Sequence, residues 1–149
     1  MLRHFFLLLL WGTSLGYAQT DRADPYSAIT AFFEAFHQAD GPALAAAWHP
    51  EARLYSTQLL PDGSTRLRAA VVADFVQAVA QRPAAPTWEE QLDQPTVLLD
   101  FPMAQVWVPY RFYRAGEFSH RGTNNFLLLW ENGRWQILHL IYTRLTDRP

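Results

Sequence analysis

The chain of 149 residues has no cysteine, which excludes disulfides, a thiol nucleophile, thiolate metal sites and a lipid-bearing cysteine behind an export signal. Lysine is absent too, every basic residue being arginine, so Schiff-base chemistry and a lysine base are also excluded. The net charge of −2 argues against a nucleic-acid partner. Long apolar runs are scarce. The longest, from Phe5 to Trp11, breaks at Gly12-Thr13-Ser14, short of the roughly twenty apolar residues a membrane span needs. With Arg3 before it and Gly16-Tyr17-Ala18 after it, residues 1–18 read as a cleaved signal peptide. The expectation is a secreted or periplasmic protein with no stable membrane insertion, folded as one domain over residues 19–149.

Half of the sequence is hydrophobic and 15% is aromatic, enough to bury a sizeable core. Asp24-Pro25 is a helix start, an acceptor at the cap followed by proline at the first helical position. Tyr26, Ile29, Phe32, Phe33 and Phe36 then recur at helical spacing to about Gln38. Asp40-Gly41-Pro42 restarts a short alanine-rich helix to Trp48, which His49-Pro50 ends. A short strand over 53–57, a turn at Pro61-Asp62-Gly63 and a returning strand over 64–67 come next. A third helix is expected over 69–81, burying Val72, Phe75, Val76 and Val79. Beyond the stiff Pro83-Ala84-Ala85-Pro86 linker, Trp88, Glu90 and Leu92 alternate with Glu89, Gln91 and Asp93, and residues 97–101 extend that edge.

Three long antiparallel strands close the chain. Asn132-Gly133 between apolar runs is a two-residue hairpin signal, pairing Trp130 with Trp135, Leu128 with Ile137, Phe126 with His139 and Asn124 with Ile141. The turn at Arg114-Ala115-Gly116-Glu117 pairs Tyr113 with Phe118, Arg111 with His120 and Trp107 with Asn124. Alternation then gathers Trp107, Arg111, His120, Asn124, Phe126, Trp130, Trp135, Ile137, His139 and Thr143 on one face. The other collects Val106, Val108, Tyr110, Leu127, Leu129, Leu138, Leu140 and Tyr142. Helices first and a meander last is an α+β order. An apolar second face predicts a homodimer through the outer side of the sheet.

The stretches "AFFEAFHQADGPALAAAWHPEARLY" (31–55), "AQVWVPYRFYRAGEF" (104–118), "SHRGTNNFLL" (119–128) and "GRWQI" (133–137) resemble the nuclear transport factor 2-like superfamily. The nearest resemblance is to small secreted bacterial members of the lumazine-binding or polyketide-cyclase-like (SnoaL-like) type. The resemblance implies a cone-shaped α+β fold, three N-terminal helices packed on a strongly curved, mainly antiparallel sheet, with a conical pocket between them. It implies no reaction, because the fold hosts isomerases, dehydratases, epoxide hydrolases, cyclases and binding modules alike.

On this reading Trp107, Arg111, His120, Asn124, Phe126 and His139 line the pocket, hydrogen-bonding groups set among aromatics. The leading expectation is a binding domain for a small, mostly apolar ligand bearing a carbonyl or carboxylate. The alternative is an enzyme of isomerase, dehydratase or cyclase type with His139 or His120 as acid and base. A carboxylate entering the cone from the helices, such as Glu34 or Asp40, would favour it, and none falls on the expected pocket face of the three long strands. A third reading is a non-catalytic scaffold whose cone is filled by its own aromatics. No cofactor is expected, and no metal, since a metal site needs three or four convergent ligands and His120 and His139 have no third ligand in view.

Overall fold

Asp24 caps the first helix as the sequence dictates, its carboxylate accepting the Tyr26 N–H at 3.1 Å while Pro25 opens the helix. The computed structural model describes residues 24–146, so the expected signal peptide lies outside the described residues. Helix α1 (Pro25–Gln38) buries Ile29, Phe32, Phe33 and Phe36, the stripe that its spacing predicts. Helix α2 (Gly41–Ala46) is capped by Asp40, which accepts from the Ala43 N–H at 3.0 Å. It stops before the expected Trp48 because that residue already pairs with Ile137. Helix α3 (Val72–Ala80) starts later than residue 69 because Ala69 and Ala70 are held in a strand opposite Tyr55 and Leu54.

The strands are β1 (Trp48–Leu59), β2 (Thr65–Ala70), β3 (Trp88–Leu92), β4 (Thr96–Asp100), β5 (Met103–Arg114), β6 (Glu117–Glu131) and β7 (Arg134–Arg144). They form one curved sheet in the order β2-β1-β7-β6-β5-β3, with β4 also on β5. Among the described residues only the β1–β7 pairing is parallel, so the sheet is mixed and the architecture α+β, three helices packed on a sheet. Both hairpin turns form where the sequence puts them. Ala115 and Gly116, and Asn132 and Gly133, all have positive φ, between 52° and 78°, the geometry of a turn that follows the strand twist.

The register departs from simple counting at two bulges. On β6 one extra residue, Ser119, stands between the Tyr113–Phe118 and Phe112–His120 pairs. On β7 Leu138 is extra between the Leu128–Ile137 and Leu127–His139 pairs. A one-residue shift moves every side chain beyond it to the other face. Strand β6 keeps His120, Asn124 and Phe126 on the helix-covered side, but β5 and the end of β7 are turned over. Val106, Val108, Tyr110, Leu140 and Tyr142, expected on the outer face, point inward. Trp107, Arg111, His139 and Thr143 point outward.

The core lies between α1, α3 and the inner face. Phe126 is fully buried, with the rings of Phe32 and Phe33 edge-on at 5.9 and 6.2 Å. Phe75 of α3 stacks on Phe32 and Phe36. At the opposite end Phe101, Trp130 and Trp135 close the layer with ring contacts of 5.4 to 6.2 Å.

Candidate functional site

A cavity of about 270 Å3 opens between the helices and the inner sheet face. Phe32, Phe33 and Phe36 of α1 and Phe75 of α3 supply its helical wall, and Trp88, Tyr110, Phe112, Leu140 and Tyr142 its sheet wall. Among this carbon stand six polar side chains: Glu90, Arg114, Ser119, His120, Asn124 and Arg144. The cavity is therefore not filled by the aromatics that surround it.

Glu90 is the group that the strand register left out of consideration. It lies on β3 between Trp88 and Leu92, the three half-buried residues of that strand, while Glu89 and Gln91 are exposed. Strand β3 pairs with β5 so that Glu90 faces Phe112, an inward position. Its Oε1 accepts from Asn124 Nδ2 at 2.7 Å. Burial pushes the Glu90 carboxyl up from 4.5 to about 7, and the Asn124 hydrogen bond opposes that rise without cancelling it. Loss of hydration disfavours the anion by more than one neutral donor restores. The alternation of Trp88, Glu90 and Leu92 was the signal, a carboxylate in the middle of an apolar row.

Asn124 is 3% exposed, and it bridges the β6 wall to β3. His120, 7% exposed, stacks on Phe112 with ring centroids 4.8 Å apart, and its Nδ1 lies 3.1 Å from Ser119 Oγ. Burial, then the positive charge of Arg144, holds its pKa down at about 4, so the ring is neutral at physiological pH. Tyr110 is held un-ionised by burial and by Glu90, and its hydroxyl donates to the Thr143 carbonyl at 2.9 Å. The Thr123 N–H goes to Thr143 Oγ1 at 2.9 Å. Thr143 of β7 is thus tied to β5 and to β6 by side-chain hydrogen bonds.

Of the six residues expected at the site, His120 and Asn124 line the cavity. Phe126 lies beneath it in the core. Trp107, Arg111 and His139 are corrected to the outer face by the two bulges. Trp107 is 49% exposed there. Arg111, which on its expected face would be solvated, held by Glu89 or Glu90 of the neighbouring edge, or left for an acidic ligand, instead pairs with Asp93 of that edge at 2.6 Å. His139 packs edge-on against Tyr55. His139 therefore cannot act in this cavity, whereas His120 and Glu90 face into it. Among the described residues no group of three or more histidine, aspartate or glutamate side chains could hold a metal ion, and no helix is long and apolar enough to cross a membrane.

No protein-family model matches the sequence, and no curated protein sequence matches it. Solved structures do match the fold. An NTF2-like protein of unknown function from Shewanella baltica superposes with a TM-score of 0.59 at 14% identity, over 83% of this chain and 92% of that one. A protein provisionally named the beta subunit of an aromatic-ring-hydroxylating dioxygenase, from Novosphingobium aromaticivorans, gives 0.67 at 11% identity over 88% and 93%. A provisionally named scytalone dehydratase from the same organism gives 0.61 at 7% identity over 83% and 85%. Identities this low carry architecture and no activity. The element order, the helix-covered sheet face and these superpositions together establish that the chain has the fold of the nuclear transport factor 2-like superfamily.

Proposed function

We propose that this chain is a small-molecule-binding domain whose conical pocket takes a mostly apolar ligand bearing a carbonyl or carboxylate. The observation that carries it is the Glu90–Asn124 pair inside an aromatic cavity. A buried carboxyl with a single neutral donor is costly, and a ligand hydroxyl, carbonyl or amide supplies the partners it lacks. Neutral His120 and the Ser119 hydroxyl add a second donor and acceptor pair. The volume lies near the lower end of the range for ligand pockets, which suits a compact molecule.

Glu90 favours one second reading, an enzyme of isomerase, dehydratase or cyclase type. A carboxyl poised near neutrality can give and take a proton at the same pH, and it stands in for the histidine pair that the sequence suggested. We further propose that the domain is exported and that its outer sheet face, where Trp107 and Met103 are half exposed, joins a second copy.

Native mass spectrometry of the purified protein tests the first reading. It is supported by a retained or added small molecule on the wild type that is weakened in Asn124→Leu, and opposed if neither variant holds any. Glu90→Gln separates the two readings, because it keeps shape and hydrogen bonding but cannot ionise. Turnover lost with binding retained speaks for the enzyme.

A further inference from the structure

The rim of the cavity carries more positive charge than a neutral ligand needs. Arg114 ends β5 and Arg144 ends β7, and both line the cavity on either side of the β6 segment that contributes Ser119 and His120. Among the described residues neither guanidinium is in an ion pair. The ion pairs there are Arg111 with Asp93 and His49 with Glu131, and none of those four residues lines the cavity. The sole carboxylate in the lining is Glu90, which is turned to Asn124 and kept partly protonated by its burial. The lining is thus net positive in a chain whose net charge is −2. A concave wall of low dielectric concentrates such a field and draws anions to it.

Size and surface narrow the class further. A cavity of about 270 Å3 lies near the lower end of the range for ligand pockets, which suits a ligand of one or two rings. Flat rings also match the planar walls of Trp88, Phe36 and Phe112 by offset or edge contacts. Guanidinium groups bind carboxylates through paired N–H donors.

Resting on the binding function proposed above, we infer that the ligand is an aromatic monoanion, its ring packed against the aromatic lining of the cavity and its carboxylate at the rim on Arg114 and Arg144. The polar end that meets Glu90 and Asn124 is then a second, neutral substituent.

Isothermal titration of the full chain with 2-naphthoate and with its neutral isostere 2-naphthamide tests this. The expected result is a preference for naphthoate of about tenfold or more, weakening as salt is added. Arg114→Gln and Arg144→Gln should each reduce that preference about fivefold. Arg66→Gln, an exposed arginine of β2 away from the cavity, should leave it alone. Both rim arginines are exposed, and circular dichroism checks that their variants are folded. Naphthamide binding as tightly as naphthoate would overturn the anion inference and leave the binding function standing. A preference for naphthoate that survives both rim substitutions would overturn the assignment to these arginines. Failure of both probes to bind would overturn the inference of an aromatic ligand, while a small molecule retained in native mass spectrometry would leave the binding function standing.

Discussion

His37 Nε2 accepts the backbone N–H of Glu90 at 2.9 Å, so the end of the first helix holds the strand that carries the buried carboxyl. The Arg82 guanidinium locks the same corner, donating to the His37 carbonyl at 2.6 Å and lying over the rings of Phe36 and Trp88, 5.2 Å from each. Only an unprotonated Nε2 can accept. Burial first, then Arg82, lowers the His37 pKa and keeps it so. His37→Ala should cost about 1 kcal/mol, the net worth of one hydrogen bond, in urea unfolding. It should also weaken binding of any cavity ligand by loosening Glu90. His37→Gln, which retains an acceptor, should recover part of both losses.

Two buried groups give opposite pH dependences of stability. Glu90 rises from 4.5 to about 7 on folding, so between those values the native state holds a proton that the unfolded chain has released. Stability from this group is therefore full below pH 4.5 and falls as pH rises through 7. His120 drops from 6.5 to about 4, so between those values the unfolded chain holds the extra proton. Its contribution is full above pH 6.5 and falls as pH drops through 4. Each is on the order of 3 kcal/mol as an upper bound, and they nearly cancel from pH 4.5 to 6.5. Glu90→Gln should unmask a stability that climbs with pH from 4 to 6.5. His120→Phe should unmask one that declines from 4.5 to 7. Denaturant midpoints measured across that range check both slopes.

Gly122 sits where a side chain cannot. A Cβ there would collide with the Thr143 carbonyl oxygen and come within 2.8 Å of the Tyr110 ring, whose hydroxyl reaches the same carbonyl. Gly122→Ala should destabilise by about 2 to 3 kcal/mol through overpacking. Tyr110→Phe should cost about 1 kcal/mol. Thermal unfolding of the two variants separates these magnitudes.

The outer face carries its own test. Trp107→Glu should convert a dimer to a monomer in sizing at micromolar concentration while leaving cavity binding intact. His139→Ala should likewise leave binding intact, because its ring faces Tyr55 and not the cavity. Loss of binding in His139→Ala alone would contradict the register described above.

The starts of α1 and α2, both hairpin turns and the α+β order were legible because each rests on local chemistry: Asp24 and Asp40 as caps, Asn132-Gly133 and Ala115-Gly116 at positive φ. The faces of β5 and β7 were not, because the bulges at Ser119 and Leu138 leave no mark in residue type. A tertiary criterion finds them. The row Ala104, Val106, Val108, Tyr110 and Phe112 is more apolar than Gln105, Trp107, Pro109 and Arg111, and burying the more apolar row gives the observed register. That choice would have removed Trp107 and Arg111 from the site while retaining His120 and Asn124. Glu90 escapes that criterion for another reason: it lies on the short β3 edge, outside the hairpins whose turns fix the register of the three long strands.

The central claim is that Glu90 is a buried carboxyl held by Asn124 inside a ligand cavity. Carbon-13 NMR titration of its side-chain carboxyl tests this most directly, with Glu90→Gln identifying the resonance. The midpoint should fall near pH 7 and move higher in Asn124→Ala, which removes the one hydrogen bond that stabilises the anion. A midpoint near 4.5, unchanged in Asn124→Ala, would mean a solvated surface glutamate and would contradict the account.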